Sequence, residues 1–191
     1  MNMKELIAKA THGNIEQWEL ERVVRCLETK SCDTYEALLV IGRAGAIQYR
    51  SLIEKYLEAR DNPMLARLAL MILCRYWNLT IEYKSKLEEF LRRVDWDTEE
   101  DVRLLAISIA GSLLTSHPDR GLLRLLIRIF RDPSELQLVR ETAYCALGEA
   151  AGKIPSELPR ASRRLDLEHE LDPDVVAYIE AGERASEERS H

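Results

Sequence analysis

The sequence predicts an all-α fold, an α-solenoid of about four helical hairpins closed at each end by a capping helix. Three observations predict it. The first is a repeated phrase. Val139-Arg140-Glu141-Thr142-Ala143-Tyr144-Cys145-Ala146-Leu147-Gly148 echoes Val102-Arg103-Leu104-Leu105-Ala106-Ile107-Ser108-Ile109-Ala110-Gly111, which lies 37 residues earlier. Weaker copies run from Ala66-Arg67 to Cys74-Arg75 and from Asp33-Thr34 to Ile41-Gly42. A period of this length marks units too small to bury their own apolar faces, which therefore stack. The second is 3.6-residue apolar spacing through nearly every segment, without β-branched alternation. The third is that the 8 glycines and 6 prolines are scarce and sit at joints.

Taken in order, residues 1–14 form an N-terminal capping helix at about 2–10, ended by Gly13-Asn14. Residues 15–152 form the repeat array, with helix pairs at roughly 15–29 with 33–45, 47–60 with 63–77, 82–94 with 98–116, and 119–131 with 134–151. Asn62-Pro63 and Asp132-Pro133 place a capping side chain before a proline, which the first helical position tolerates. Thr98 with Asp101 resembles a capping box with acids in the first turn. His117-Pro118-Asp119 marks another joint, and Gly152, ahead of Lys153-Ile154-Pro155, is a C-terminal stop. Residues 153–191 form an acidic capping segment whose final helix spans about 173–188. Short loops between neighbouring helices make each pair an antiparallel hairpin.

These units resemble HEAT repeats, whose second helix reads Val-Arg-x-x-Ala-x-x-Ala-Leu-Gly after an Asp-Pro turn. The fourth unit carries Asp132-Pro133, Val139-Arg140 and Ala146-Leu147-Gly148, and the third carries Asp97 and Val102-Arg103. The second keeps Asp61-Asn62-Pro63 and Arg67 but has Ala66 for Val and Arg75 for the late Gly. The first keeps Asp33, Ala37 and Ile41-Gly42, with Thr34 in place of Arg. The resemblance covers about residues 15–151. It implies a ladder linking Asp61, Asp97 and Asp132 with Arg67, Arg103 and Arg140. It also implies close helix approach at Ala37, Ala106 and Ala143. HEAT units serve many roles, so the resemblance speaks to fold far more than to function.

Composition narrows the function classes. The 191 residues are 46% hydrophobic with a net charge of −6, which excludes wholesale disorder and argues against general phosphate-backbone binding. The balance suits a protein kept soluble near neutrality, or one whose partner is basic. Cys26, Cys32, Cys74 and Cys145 form no Cys-x-x-Cys pair and read as small buried hydrophobes in a reducing compartment. The charged start, Met1-Asn2-Met3-Lys4-Glu5-Leu6-Ile7, does not read as a secretory leader, and no apolar run has the length of a membrane span, so the expected location is cytoplasmic. His12, His117, His169 and His191 share no metal-ligand spacing with Cys or acids, and there is no phosphate loop or nucleophile elbow. The expectation is a protein without catalysis, metal or cofactor.

Candidate binding residues follow from the repeat used as a ruler. In HEAT arrays the second helices line the concave side. Three rows should face outward there: Tyr35, Leu68, Leu104 and Glu141; Leu39, Ile72, Ser108 and Cys145; and Arg43, Tyr76, Ser112 and Glu149. The first three units are apolar at these positions, as an interaction site would be. The alternatives are that the C-terminal segment or a second copy covers the face, or that the register is off by one. Secondary charged surfaces are Arg120, Arg124, Arg128 and Arg131 along one helix face, and an acidic tail that includes Glu168, Asp172, Asp174, Glu180, Glu183, Glu187 and Glu188. The arginine row reads as a solvated face or as a dock for an acidic partner or a phosphate backbone; the tail reads as a cap or a surface for a basic partner. Asp172-Pro173 should start the last helix. Trp18 and Trp77 are expected in the core, and Trp96 either staples two units or meets a partner.

Small acidic HEAT-like proteins resemble bacterial immunity proteins that neutralise nuclease toxins, which implies a basic toxin domain as partner. A DNA glycosylase on a HEAT scaffold is the alternative, drawing its aromatics from Tyr35, Tyr76 and Trp77; a phycobilin-lyase-like or chaperone-like scaffold and a homodimer also stay open.

Overall fold

The computed structural model describes residues 2–154, 156–158, 166, 167 and 169–187; Pro155, Glu168, Glu188 and His191 lie outside them, as does the side chain of Glu187. Among the described residues every regular element is helical and there is no strand. The chain divides into two compact units.

The first unit comprises Met1–Tyr83 with Trp96–Val102. It holds α1 (Met3–Thr11), α2 (Gln17–Glu28), α3 (Thr34–Arg43), α4 (Arg50–Glu54) and α5 (Pro63–Met71). α2 opens with a reciprocal cap between Glu16 and Glu19, and α3 opens on Asp33, whose carboxylate accepts the Glu36 N–H at 2.8 Å. α3 lies at the centre, packed by α1, α2 and α5. Its neighbour can come close because Gly42 has no side chain: a Cβ there would sit 2.5 Å from Ile72 Cγ1. Trp77 is buried as expected and donates its indole N–H to the Gly42 carbonyl at 3.0 Å.

Two helices in this unit depart from the sequence reading. The segment expected as one helix over 47–60 changes winding twice, with 3₁₀ turns Ile47–Tyr49 and Lys55–Glu58 on either side of α4. It buries only Ile53 and Leu57, so local packing sets the pitch of a helix this weakly amphipathic. α5 continues as a π-helical turn, Ile72–Tyr76, which shifts the face each later residue presents. Trp18 is the other correction. It is 61% exposed, because α2 turns Leu20, Val24 and Leu27 inward and Trp18 stands on the opposite face.

The second unit comprises Lys84–Asp95 with Arg103–His191. It holds α6 (Lys84–Leu91), α7 (Asp101–Ser116) from Arg103 onward, α8 (Arg120–Arg131), α9 (Gln137–Ala150) and α10 (Pro173–Glu187). α8 and α9 form a hairpin; α10 packs on both, and α6 packs on α8. α8 buries Leu122, Leu126, Ile127, Ile129 and Phe130, each worth about 1.5–3 kcal/mol when fully removed from water. Asp119 caps it, accepting the Leu122 N–H at 3.0 Å. α9 ends as expected at Gly152 (φ +90°), with the Lys153 N–H returning to the Gly148 carbonyl.

Two helix starts come three residues later than the sequence suggests. Asp132 turns its carboxylate onto the Ser134 N–H and hydroxyl rather than capping a helix, so α9 begins at Gln137 and leaves Leu136 and Leu138 exposed. Glu100 adopts φ +61°, and Asp97 reaches past it to accept the Val102 N–H at 3.0 Å. α7 therefore starts at Asp101.

Candidate protein-binding surface

The expected rows divide between the two units. In the first, Tyr35 and Leu39 are half-buried on α3, and Arg43 is exposed, donating to Thr11 Oγ1 at 2.8 Å. Tyr76 is 39% exposed. Leu68 and Ile72 correct the expectation of an open apolar row: they are 1% and 0% exposed. Ile72 fills the space that Gly42 leaves between α3 and its neighbour, and Leu68 is among the largest fully buried side chains. Neither offers surface to a partner.

In the second unit the rows fall on α7 and α9. Leu104 and Ser108 are half-buried on α7 and Ser112 is exposed; Glu141, Cys145 and Glu149 are half-buried on α9. The Ser112 hydroxyl donates to Glu149 Oε2 at 2.9 Å across 37 residues. Beside it α7 and α9 touch backbone to backbone, since a Cβ on Gly111 would lie 2.6 Å from Ala146 Cα. Gln137 holds Glu141 at 2.7 Å. Burial, reinforced by Glu149 and Glu141, pushes the Cys145 thiol up to about 11, so it stays protonated and serves as a small apolar side chain. The strip thus combines an aliphatic end, small side chains and two carboxylates.

Two of the arginines expected to link repeats reach the helix before their own. Arg103, 3% exposed, donates Nε to the Leu91 carbonyl at 3.1 Å and both terminal nitrogens to Glu135, one at 2.8 Å. Arg140 donates Nε to the Phe130 carbonyl at 3.0 Å. Each guanidinium therefore satisfies a carbonyl at the C-terminal end of the preceding helix, where a cation is favoured. Asp132 sits nearby, its carboxyl held below the usual range first by the Ser134 hydroxyl and N–H and then by these arginines.

The charged surfaces meet each other. Arg120, Arg124, Arg128 and Arg131 all lie on the exposed face of α8, and Arg131 pairs with Glu183 of α10 at 3.0 Å while resting over the Phe130 ring. Asp172 starts α10, accepting the Asp174 N–H at 2.9 Å. Lys153 bridges Asp172 and Asp174 at 3.0 and 2.8 Å, and it holds the Asp172 carboxyl below its ordinary value. The Asp172 N–H donates to the buried Tyr144 hydroxyl at 2.7 Å. These contacts give Asp172 and Asp174 partners within the chain.

One surface escaped sequence reasoning. Trp18 lines a shallow pocket of about 140 Å3 with Asn2, Glu5, Leu6, Glu19 and Arg22. The helical period of α2 carried the signal, because it sets residue 18 opposite Leu20. Trp96 is half-buried. Among the described residues no three His, Cys, Asp or Glu side chains converge as a metal site requires, and no helix is long and apolar enough to cross a membrane. No family model, curated protein or solved structure matches the chain.

Proposed function

We propose that this chain is a HEAT-like repeat array that acts as a non-catalytic protein-binding module in the cytoplasm, most specifically a bacterial immunity protein that holds a basic nuclease toxin domain. The repeat reading draws support from contacts between side chains about one repeat length apart. Arg50 meets Glu82 across 32 residues, Trp77 meets Gly42 across 35, Lys84 meets Asp119 across 35, and Arg103 meets Glu135 across 32. The observation that carries the binding reading is the Ser112–Glu149 bond, which joins α7 and α9, the helices that carry Leu104, Ser108, Glu141 and Cys145, as one strip. Apolar and small side chains there supply contact area, and the two carboxylates steer a basic partner and reject acidic ones. No step of bond-making is required; the module would cover the toxin's active site or its nucleic-acid dock.

The test is capture by the purified chain at low and high salt, followed by titration of the recovered protein against its own activity. One stoichiometric basic protein, released by salt and inhibited by the chain, is the expected result. Recovery of alkylated DNA at moderate salt would replace this reading with the glycosylase, a bound tetrapyrrole would favour the lyase-like scaffold, and self-association alone would favour a homodimer.

A further inference from the structure

Cys26 lies in the last turn of α2, and the chain reverses immediately after it. Lys30 takes φ +52°, its N–H bonds to the Leu27 carbonyl at 3.1 Å, and the Ser31 N–H returns to the Cys26 carbonyl at 3.0 Å. This left-handed helix stop folds the next residues back over Cys26. The Ser31 hydroxyl donates to Cys26 Sγ at 3.3 Å, and the same turn brings Cys32, the next residue, near enough to Cys26 that each thiol shifts the other's titration. Both cysteines are half-buried, so small reagents reach them, whereas Cys74 is buried on another helix.

We propose that Cys26 and Cys32 are a thiol–disulfide exchange site, oxidised to a reversible intramolecular disulfide by low-molecular-weight disulfides of the glutathione class. The Cys26 thiolate attacks one sulfur of the small disulfide and expels the other half as a thiolate, leaving a mixed disulfide on Cys26. Cys32 then gives up its proton and attacks the Cys26 sulfur, and the departing small thiolate takes that proton. Two protein thiols are oxidised by two electrons in all, and one small disulfide is reduced to two thiols.

The surroundings assign the order. The Cys32 and Ser31 donors favour the Cys26 thiolate, with Arg22 adding a smaller contribution. Burial pushes the Cys32 thiol up to about 12, helped by Cys26, Asp33 and Glu36. Because the Ser31 hydroxyl also sits on its sulfur, Cys26 is the attacking sulfur and Cys32 the resolving one. In a reducing compartment such a bond is transient and reports redox state. It would also tie the end of α2 to the residue beside Asp33, which caps α3, the helix that carries Tyr35 and Leu39.

The experiment uses the folded full chain, oxidised glutathione and trypsin, which separates residues 26–30 from 31–43 by cutting after Arg25, Lys30 and Arg43. The expected result is a disulfide joining those two peptides, a fall from four free thiols to two, and full reversal by dithiothreitol. In C32S the glutathione adduct should accumulate on Cys26, while C26S should leave Cys32 unmodified. Separate adducts on both cysteines, four free thiols throughout, or a bond to Cys74 or Cys145 would overturn the proposal. The wild-type peptide map decides this whether or not the serine variants fold.

Discussion

Gly111→Ala probes the contact on which the α7–α9 strip depends. An added Cβ would stand 2.6 Å from both Cα and Cβ of Ala146 and 2.8 Å from its carbonyl oxygen. Carbon atoms settle at about 3.5–4.0 Å, so the helices must part by about 1 Å. The obstacle is backbone, which cannot rotate away. Overpacking of this kind costs about 1–3 kcal/mol or more, and alanine returns about 1 kcal/mol of helix propensity. A net loss near 2 kcal/mol corresponds to a fall of about 4–8 °C in Tm for a chain this size. Thermal melting by far-ultraviolet circular dichroism, with urea titration alongside, measures it. Gly182→Ala is the matched control. Its Cβ would meet Ile127 Cδ1 at 2.9 Å and Leu123 Cδ2 at 3.2 Å, which are ends of side chains free to turn, so this variant should melt at or above wild type. A G111A protein as stable as wild type, or a G182A protein equally weakened, would refute the reasoning.

Three further outcomes follow from the same coordinates. Leu68→Ala should destabilise the chain by about 2–5 kcal/mol as a cavity in a closed core, whereas Tyr35→Ala should alter stability far less; equal losses in urea titration would contradict the burial of Leu68. Arg103→Met should cost about 3 kcal/mol, because it strands Glu135 and the Leu91 carbonyl without their cation, and an unchanged midpoint would show that the guanidinium is dispensable. The Asp119 carboxyl is held below its ordinary value first by Lys84 and then by the Leu122 N–H. A carboxyl lowered in the folded state contributes stability that is complete above the ordinary aspartate range and fades as pH falls through it. Asp119→Asn should therefore lower stability near neutrality and flatten its decline in acid, and parallel pH curves for variant and wild type would refute the assignment.

The helices were legible because their ends carry local chemistry. Asp172 and Gly152 act where the sequence places them, and Asp33 and Asp119 cap the helices that begin beside them, each through a bond made within two to five residues. The starts of α7 and α9 were hidden by competition. Asp132 prefers the Ser134 turn to a helix cap, and the backbone at Glu100 turns left-handed, which no propensity signals in a glutamate. Ser112 and Glu149, one row of the ruler, are bonded, whereas Leu68 and Ile72 are buried. That hairpin contains the broken helix around α4 and the π turn after α5, so a constant period no longer maps to a constant face. Trp18 shows the opposite error, in which residue type was read ahead of the period. The proximity of Cys26 and Cys32 comes from the turn at Lys30, a left-handed lysine that the sequence does not announce.

The distribution of charge decides which acids can greet a partner. The tail is the most acidic stretch of sequence, yet Asp172 and Asp174 close on Lys153, and Glu183 closes on Arg131. Those carboxylates serve to hold α10 on α8 and α9. Glu149 differs: its described partner is the neutral Ser112 hydroxyl, so its charge remains uncompensated by a cation there. If a basic partner docks on the α7–α9 strip, Glu149→Lys should slow association severalfold at low salt and reduce its salt dependence, because surface charge acts on encounter rate more than on contact energy. Glu183→Lys should instead weaken the seating of α10 and lower Tm, with association little changed. Stopped-flow rates for both variants separate the two roles. A Glu183→Lys protein that associates as slowly as Glu149→Lys would move the docking surface from the strip to the tail.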